Sequence, residues 1–136
     1  MKDKRTENTC AFTIIARNYL AQARVLAESW HRHHPDIPFF VLVLDGDKGL
    51  SSDHASFFSA DDLTTLTSKE IRTLSFKYQL IEFATAIKPF TFNHLFRQGF
   101  DNAIYHDRDI VLPNPLKPAF SELSNNDIIL TPHLTQ

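Results

Sequence analysis

The chain has 136 residues, a length that suits one domain rather than two. Its 14 lysine and arginine residues nearly balance 16 aspartate and glutamate residues, so nothing in the composition indicates nucleic-acid binding, which usually needs a basic patch or stripe. A single cysteine, Cys10, excludes an internal disulfide, and no apolar run is long enough for a signal peptide or a transmembrane helix. We therefore expect a cytoplasmic protein.

The first part of the chain predicts a strand, a helix and a second strand. The unbroken apolar run at residues 10–16 is typical of a strand buried on both faces. Apolar residues then recur at helical spacing over residues 19–34. Residues 38–44, with the sequence PFFVLVL, form a second buried strand that ends in the turn sequence Asp45-Gly46-Asp47.

The second part predicts a long helical region over residues 68–98. Within it, Pro89 should begin a new helix or kink the first one, and Gly99 should cap the C-terminus. The other predicted segments are a polar loop at residues 49–56, a short strand near residues 57–58, and strands at residues 103–106 and 127–130.

Buried strands that alternate with helices predict an α/β fold. We expect residues 1–136 to form a single domain, a Rossmann-like, mostly parallel sheet with helices on both faces. Ligands of such sheets bind outside the carboxyl ends of the strands. Three polar segments follow predicted strands and should share that edge: Arg17-Asn18-Tyr19, Asp45-Gly46-Asp47 and Asp107-Arg108-Asp109.

Asp107 and Asp109 predict a metal site. In extended backbone, residues two apart point the same way, so both carboxylates could converge on one cation. Magnesium and manganese prefer oxygen ligands and bind through one or two carboxylates plus substrate phosphates. The alternative is a solvated acidic turn. The apolar segments on either side, Ile104-Tyr105 and Ile110-Val111-Leu112, favour the metal site because they should hold the two like charges together.

Lys88, Tyr19 and Asn18 are candidates for binding a nucleotide. Lys88 precedes Pro89, where a helix N-terminus would attract phosphate, although most lysines are only surface residues. Tyr19 is suited to stacking on a base and Asn18 to a hydrogen bond with it. The alternative for Asn18 is a helix N-cap.

Two stretches resemble a known family. They are TIIARNYLAQARVLAESWHRHHPDIPFFVLVLD, residues 13–45, and EFATAIKPFTFNHLFRQGFDNAIYHDRDIVLPNPL, residues 82–116. Their ordered combination resembles the opening of GT-A-type glycosyltransferases that use sugar nucleotides, especially the glycogenin and family-eight-like group. In that group a helix with a lysine or arginine is followed by a strand and then by an Asp-x-Asp motif.

The resemblance implies a role for each candidate. Asp107 and Asp109 correspond to the metal-binding pair. Lys88 corresponds to a basic residue that reaches the phosphates or the sugar of the donor, and Thr85 lies one helical turn before it. The residues that correspond to the nucleoside-binding loops are Ala16, Asn18, Tyr19 and Asp45. The chain departs from the family at His106, where an apolar residue is usual, and at Arg108, where a small residue or proline is usual.

The resemblance implies an enzyme dependent on Mn²⁺ or Mg²⁺ that transfers a sugar from a nucleotide diphosphate sugar, expected to be a UDP-sugar, to an unknown acceptor. Family members continue into acceptor-binding residues, so the chain corresponds to their N-terminal portion. We therefore expect little sugar transfer from residues 1–136 alone, and self-association through an uncovered last strand. The alternative is a remnant nucleotide-binding domain without turnover. A phosphatase with an Asp-x-Asp nucleophile is disfavoured, because its motif follows the first strand.

Overall fold

A four-stranded, all-parallel sheet forms the centre of the molecule. The structure is a computed structural model that describes residues 8–63, 66–77 and 79–131. The strand order is β3-β2-β1-β4, and every neighbouring pair is parallel. The predicted α/β fold is therefore confirmed. The strands are β1 (Thr9–Ile15), β2 (Phe39–Val43), β3 (Ser56–Ser59) and β4 (Asn102–Tyr105).

Helices cover both faces of this sheet. Two of them pack on one face and two on the other, because each crossover between parallel strands must return along a face. One face carries α1 (Leu20–His33) and α4 (Lys117–Leu123), and the other carries α2 (Ser68–Lys77) and α3 (Leu80–Arg97).

The inner strand β1 separates the two cores. All seven of its residues are buried, as expected for a strand covered on both faces. Side chains alternate along a strand, so Ala11 and Ile15 join the core under α1, whereas Phe12 and Ile14 join the core under α2 and α3. This alternation explains why the strand is mostly apolar; its two polar residues, Thr9 and Thr13, are buried as well.

The predicted helical region contains two helices, and the boundary differs from the prediction. The second helix, α3, begins at Leu80 behind a capping box formed by Gln79 and Glu82, and Pro89 lies inside it. Of the two outcomes predicted for Pro89, the start of a new helix is therefore wrong, and a kink stays a prediction. Gly99 has the positive φ of 103° that ends a helix, as predicted.

The predicted strand at residues 127–130 is wrong. In the described part of the chain these residues pair with no strand, and Ile128 and Leu130 are 78% and 83% exposed. The short helix α4 precedes them and was not predicted. None of the helices in the described ranges is both long and apolar enough to cross a membrane.

Candidate functional site

The carboxyl ends of three strands meet at one edge of the sheet. Strand β1 pairs with β2 on one side and with β4 on the other. The strands that follow β1 are added on one side of it, first β2 and then β3, whereas β4 is added on its other side. The junction of β1 and β4 is therefore a topological switch point. Open α/β sheets bind ligands in the crevice at such a point. The three polar segments selected from the sequence all follow strands that end at this edge.

The loops after β1 and β2 are tied together by Arg17. Its backbone N–H donates to Oδ1 of Asp45 at 2.8 Å. Its guanidinium donates to the carbonyl oxygens of Gly46 at 3.0 Å and Lys48 at 3.1 Å. Asp45 thus helps to fix the loop after β1, and one carboxylate oxygen remains for other contacts.

The loops after β1 and β4 meet through Tyr19 and Arg108. The guanidinium carbon of Arg108 lies 3.9 Å from the centroid of the Tyr19 ring, in a cation–π contact. Tyr19 also packs against the core under α1. Ala16 is buried, and its carbonyl oxygen accepts from the Tyr19 N–H at 2.9 Å. Asn18 is exposed and is not a helix N-cap, because that position is occupied by Tyr19 in α1.

A second contact joins α3 to the end of β4. Nζ of Lys88 lies 3.9 Å from the ring centroid of Tyr105. Burial, together with the charge of the neighbouring Asp107 carboxylate, raises the Tyr105 pKa above its ordinary range. The tyrosine therefore stays protonated, and its ring connects Lys88 on α3 to the end of β4. Thr85 takes no part in this contact, because its hydroxyl donates to the Ile81 carbonyl oxygen at 3.0 Å.

Lys88 does not lie at a helix N-terminus, contrary to the prediction. Lys88 lies in the interior of α3, which begins at Leu80. The dipole of a helix acts mainly within its first turn. Any attraction that Lys88 exerts on an anion is therefore that of its own ammonium group.

Asp107 and Asp109 lie on a turn rather than in extended backbone. The Ile110 N–H donates to the Asp107 carbonyl oxygen at 3.3 Å, which closes the turn. Both aspartates are exposed, and so are Ile110 and Val111 on their C-terminal side. The extended geometry predicted there is therefore wrong, and so is the burial predicted for Ile110 and Val111.

The turn is nevertheless anchored at both ends. On one side it follows β4. On the other, Leu112 is buried, and its N–H donates to Oγ of Ser29 at 3.1 Å. Within the described ranges, no group of three or more histidine, cysteine, aspartate or glutamate side chains is arranged to hold a metal. The edge thus offers at most two carboxylates to a cation, and a hard divalent ion would need phosphate or water oxygens as well.

The chain matches no protein-family model, no curated protein and no solved structure. The residues at the carboxyl edge of the sheet and the resemblance in the sequence are therefore the two indications of function. Sequence reasoning gave no role to Arg17 or Tyr105. The rule that ligands bind at the carboxyl ends of the strands, here called the strand-end rule, could have indicated both residues. Arg17 lies two residues after β1, and Tyr105 is the last residue of β4.

Proposed function

We propose that this chain is the nucleotide-binding part of a glycosyltransferase that uses a nucleotide diphosphate sugar, with a UDP-sugar as donor and Mn²⁺ or Mg²⁺ as cofactor. One observation carries the proposal. Two exposed carboxylates, an ammonium group and an aromatic ring lie together at the switch point of a parallel sheet, linked by the Tyr19–Arg108 and Lys88–Tyr105 contacts. Phosphate, metal and base each have a suitable partner among these groups.

The nucleoside would bind over the loops that follow β1 and β2. The Tyr19 ring is a surface on which a base can stack. The exposed amide of Asn18 can donate and accept hydrogen bonds, which suits the edge of a uracil ring. Asp45 accepts from Arg17 through one oxygen, so the other can accept from a base N–H or a ribose hydroxyl. The hydrogen bonds from the Arg17 guanidinium to two carbonyl oxygens would keep this loop in the conformation that binds the ligand.

The diphosphate would lie towards β4 and α3. Asp107 and Asp109 would hold the divalent ion, which supplies charge neutralisation for the leaving diphosphate when the glycosidic bond breaks. An ion bound by two carboxylates, phosphate oxygens and water matches the way in which Mg²⁺ usually binds in phosphate sites. The ammonium of Lys88 is positioned by the Tyr105 ring and would contact a phosphate oxygen from the α3 side.

Titration calorimetry with UDP tests the proposal. UDP should bind more tightly with Mn²⁺ than with a chelator, and Asp109→Asn should remove most of that difference. Asp36→Asn is the matched control, because Asp36 is an exposed aspartate in the turn between α1 and β2, at the opposite edge of the sheet.

Three results bear on the proposal in different ways. Equal affinity with Mn²⁺ and with the chelator would overturn the metal assignment. Equal losses in Asp109→Asn and Asp36→Asn would mean that the effect of the substitution is not local. Release of sugar from a UDP-sugar by the wild-type chain, and its absence in Asp109→Asn, would support the enzymatic part of the proposal.

A further inference from the structure

Arg108 stands between the two aspartates of the turn after β4, yet it pairs with neither of them. Its side chain is half-buried, whereas Asp107 and Asp109 are exposed. Among the described residues it forms no salt bridge and no side-chain hydrogen bond. The contact that holds its guanidinium is the one with Tyr19, whose ring centroid lies 3.9 Å from the guanidinium carbon. The N–H groups of this cation are therefore available to a ligand that brings acceptors.

The Tyr19 ring, on which a base would stack, is covered by Arg108. The side chain of Tyr19 is half-buried and packs against the core under α1, and the guanidinium lies over its ring. A base and a guanidinium cannot share one ring face, because each stacks in van der Waals contact with it. A base can therefore stack on Tyr19 only when Arg108 has moved away.

The contact between Arg108 and Tyr19 is weak enough for a phosphate to replace. An exposed cation–π pair changes an equilibrium constant by about twofold to fivefold. A hydrogen bond between an arginine and a phosphate is charge-assisted and often bidentate, and it changes an equilibrium constant by about tenfold or more. Exchange of the ring for a phosphate is therefore favourable, whereas a nucleoside that displaces Arg108 offers the guanidinium no replacement.

The position of Arg108 suits a short movement from the nucleoside to the diphosphate. It belongs to the turn that follows β4, where the diphosphate would lie. Burial raises the Tyr105 pKa, and the Arg108 charge opposes that rise, so the guanidinium is already close enough to act on Tyr105. Lys88 lies over the same tyrosine ring. A guanidinium that leaves Tyr19 could thus join the ammonium of Lys88 at the phosphates.

We propose that Arg108 makes this site select a nucleoside diphosphate over a nucleoside, because it covers Tyr19 until a phosphate binds its guanidinium. The inference rests on the proposed function, since it requires a nucleotide at the carboxyl edge of the sheet. Arg108 then acts in opposite directions on two ligands: it hinders uridine by covering the ring, and it favours UDP by binding the diphosphate. Lys88 covers no part of Tyr19 and would favour UDP without hindering uridine.

Titration calorimetry of Arg108→Ala with uridine and with UDP tests the proposal. Both titrations contain a chelator, so that a changed metal affinity at the neighbouring aspartates does not enter. Uridine should bind about twofold to fivefold more tightly to Arg108→Ala than to the wild type. The ratio of UDP affinity to uridine affinity should fall about tenfold or more, because displacement of the guanidinium affects both ligands equally and cancels in the ratio.

Arg97→Ala is the matched control. Arg97 is an exposed arginine in the last turn of α3, which precedes the amino end of β4 and is therefore remote from the carboxyl edge. Its substitution should leave the affinities for uridine and for UDP unchanged. Circular dichroism should show the same helix content in the wild type, Arg97→Ala and Arg108→Ala, because neither arginine forms part of a core.

Nuclear magnetic resonance detects the movement in the wild-type chain itself. The Nε–Hε resonance of Arg108, identified by its absence from the spectrum of Arg108→Ala, is subject to the ring current of Tyr19. Saturating UDP should move this resonance and should leave that of Arg97 in place.

The outcomes separate this inference from the proposed function. If the wild type binds UDP, then uridine binding that is unchanged or weaker in Arg108→Ala, or an unmoved Arg108 resonance, would overturn the role of Arg108 and leave the nucleotide site intact. A wild-type chain that binds neither UDP nor uridine would overturn the proposed function and this inference together.

Discussion

His106 fills a core position with a polar ring. It follows β4, and its imidazole lies 5.1 Å from the Trp30 ring centroid and 6.4 Å from that of Phe39. Nε2 is buried and makes no hydrogen bond to the described residues. Burial lowers the pKa of this histidine to about 4, so the ring is neutral near pH 7. The apolar residue expected here from the resemblance would fit these surroundings better.

Replacement of His106 by leucine should therefore stabilise the protein. His106→Leu removes a buried polar atom that lacks a partner, and we expect the free energy of unfolding to rise by about 1 kcal/mol. Urea unfolding at pH 7 measures this, with His31→Leu as the control because His31 is exposed. A loss of stability in His106→Leu larger than that in the control would show that the imidazole has a partner.

Two other histidines make the fold sensitive to acid. Nε2 of His34 accepts from the Leu116 N–H at 3.0 Å, and a protonated ring could not accept that bond. Burial, with a contribution from His33, lowers the His34 pKa, and burial also lowers the His94 pKa against an opposing effect of Asp62. Both groups therefore bind protons more readily in the unfolded chain, whose histidine pKa is 6.5.

These two histidines make the folded protein less stable as the pH falls. Stability from these two histidines is fully present above pH 6.5 and is lost as the pH falls below that value. The midpoint of urea unfolding should thus decrease steadily from pH 7 towards pH 5. The decrease should be smaller in His34→Gln/His94→Gln, whose side chains do not titrate there. A midpoint independent of pH in the wild type would contradict this explanation.

Lys88 should discriminate between a diphosphate and a nucleoside. Its ammonium, positioned over Tyr105, would meet a phosphate rather than a base. Lys88→Ala should cost roughly 1.5–3 kcal/mol in UDP binding, about tenfold or more in affinity, and should leave uridine binding unchanged. Calorimetry with both ligands measures this, with the exposed Lys117→Ala as the control. Equal losses for UDP and uridine would make Lys88 a structural residue.

Among the elements, α3 contains a proline in its interior. Pro89 has no N–H, so the Thr85 carbonyl oxygen lacks the usual hydrogen bond from four residues later. The helix continues because Phe83, Ile87 and Leu95 pack it into the core on both sides of the proline. Tertiary packing thus overrides a local signal that predicted a helix boundary.

Restoring the missing N–H should strengthen this helix. Pro89→Ala should raise the free energy of unfolding by about 1–3 kcal/mol, since proline is strongly unfavourable in a helix interior. Pro118→Ala is the matched control, because Pro118 lies in the first turn of α4, where the N–H has no partner within the helix. Similar effects of the two substitutions, measured by urea unfolding, would argue against this explanation.

The sequence predicted β1 and β2 accurately because their own amino-acid pattern is enough to indicate a buried strand. The runs at residues 10–16 and 38–44 agree with β1 and β2 to within one residue at each end, because a strand covered on both faces is mostly apolar along its whole length. Residues 128–130 are also apolar, but a strand needs a neighbouring strand as well, which the sequence does not specify. The seven residues of α4 are too few for a periodic pattern to emerge.

For the whole molecule, topology explains why the candidate site was partly predictable. The strand-end rule needs only the order of strands and helices, and it brought Asp45, Tyr19 and Asp107 to one edge. The contacts within that edge depend on side chains from elements distant in sequence. Arg108 on Tyr19 and Lys88 on Tyr105 are two such contacts, and neither follows from spacing along the chain.

The central claim is that the carboxyl edge of the sheet binds a nucleotide diphosphate. Amide hydrogen exchange with and without UDP and Mn²⁺ tests it most directly, since it locates the ligand without a substitution. We predict slower exchange at residues 16–19 and 106–110, beside the switch point, and unchanged exchange at residues 34–38 and 99–101, at the amino edge. Protection confined to the amino edge or to α2, or no protection at either edge under saturating UDP, would contradict the claim.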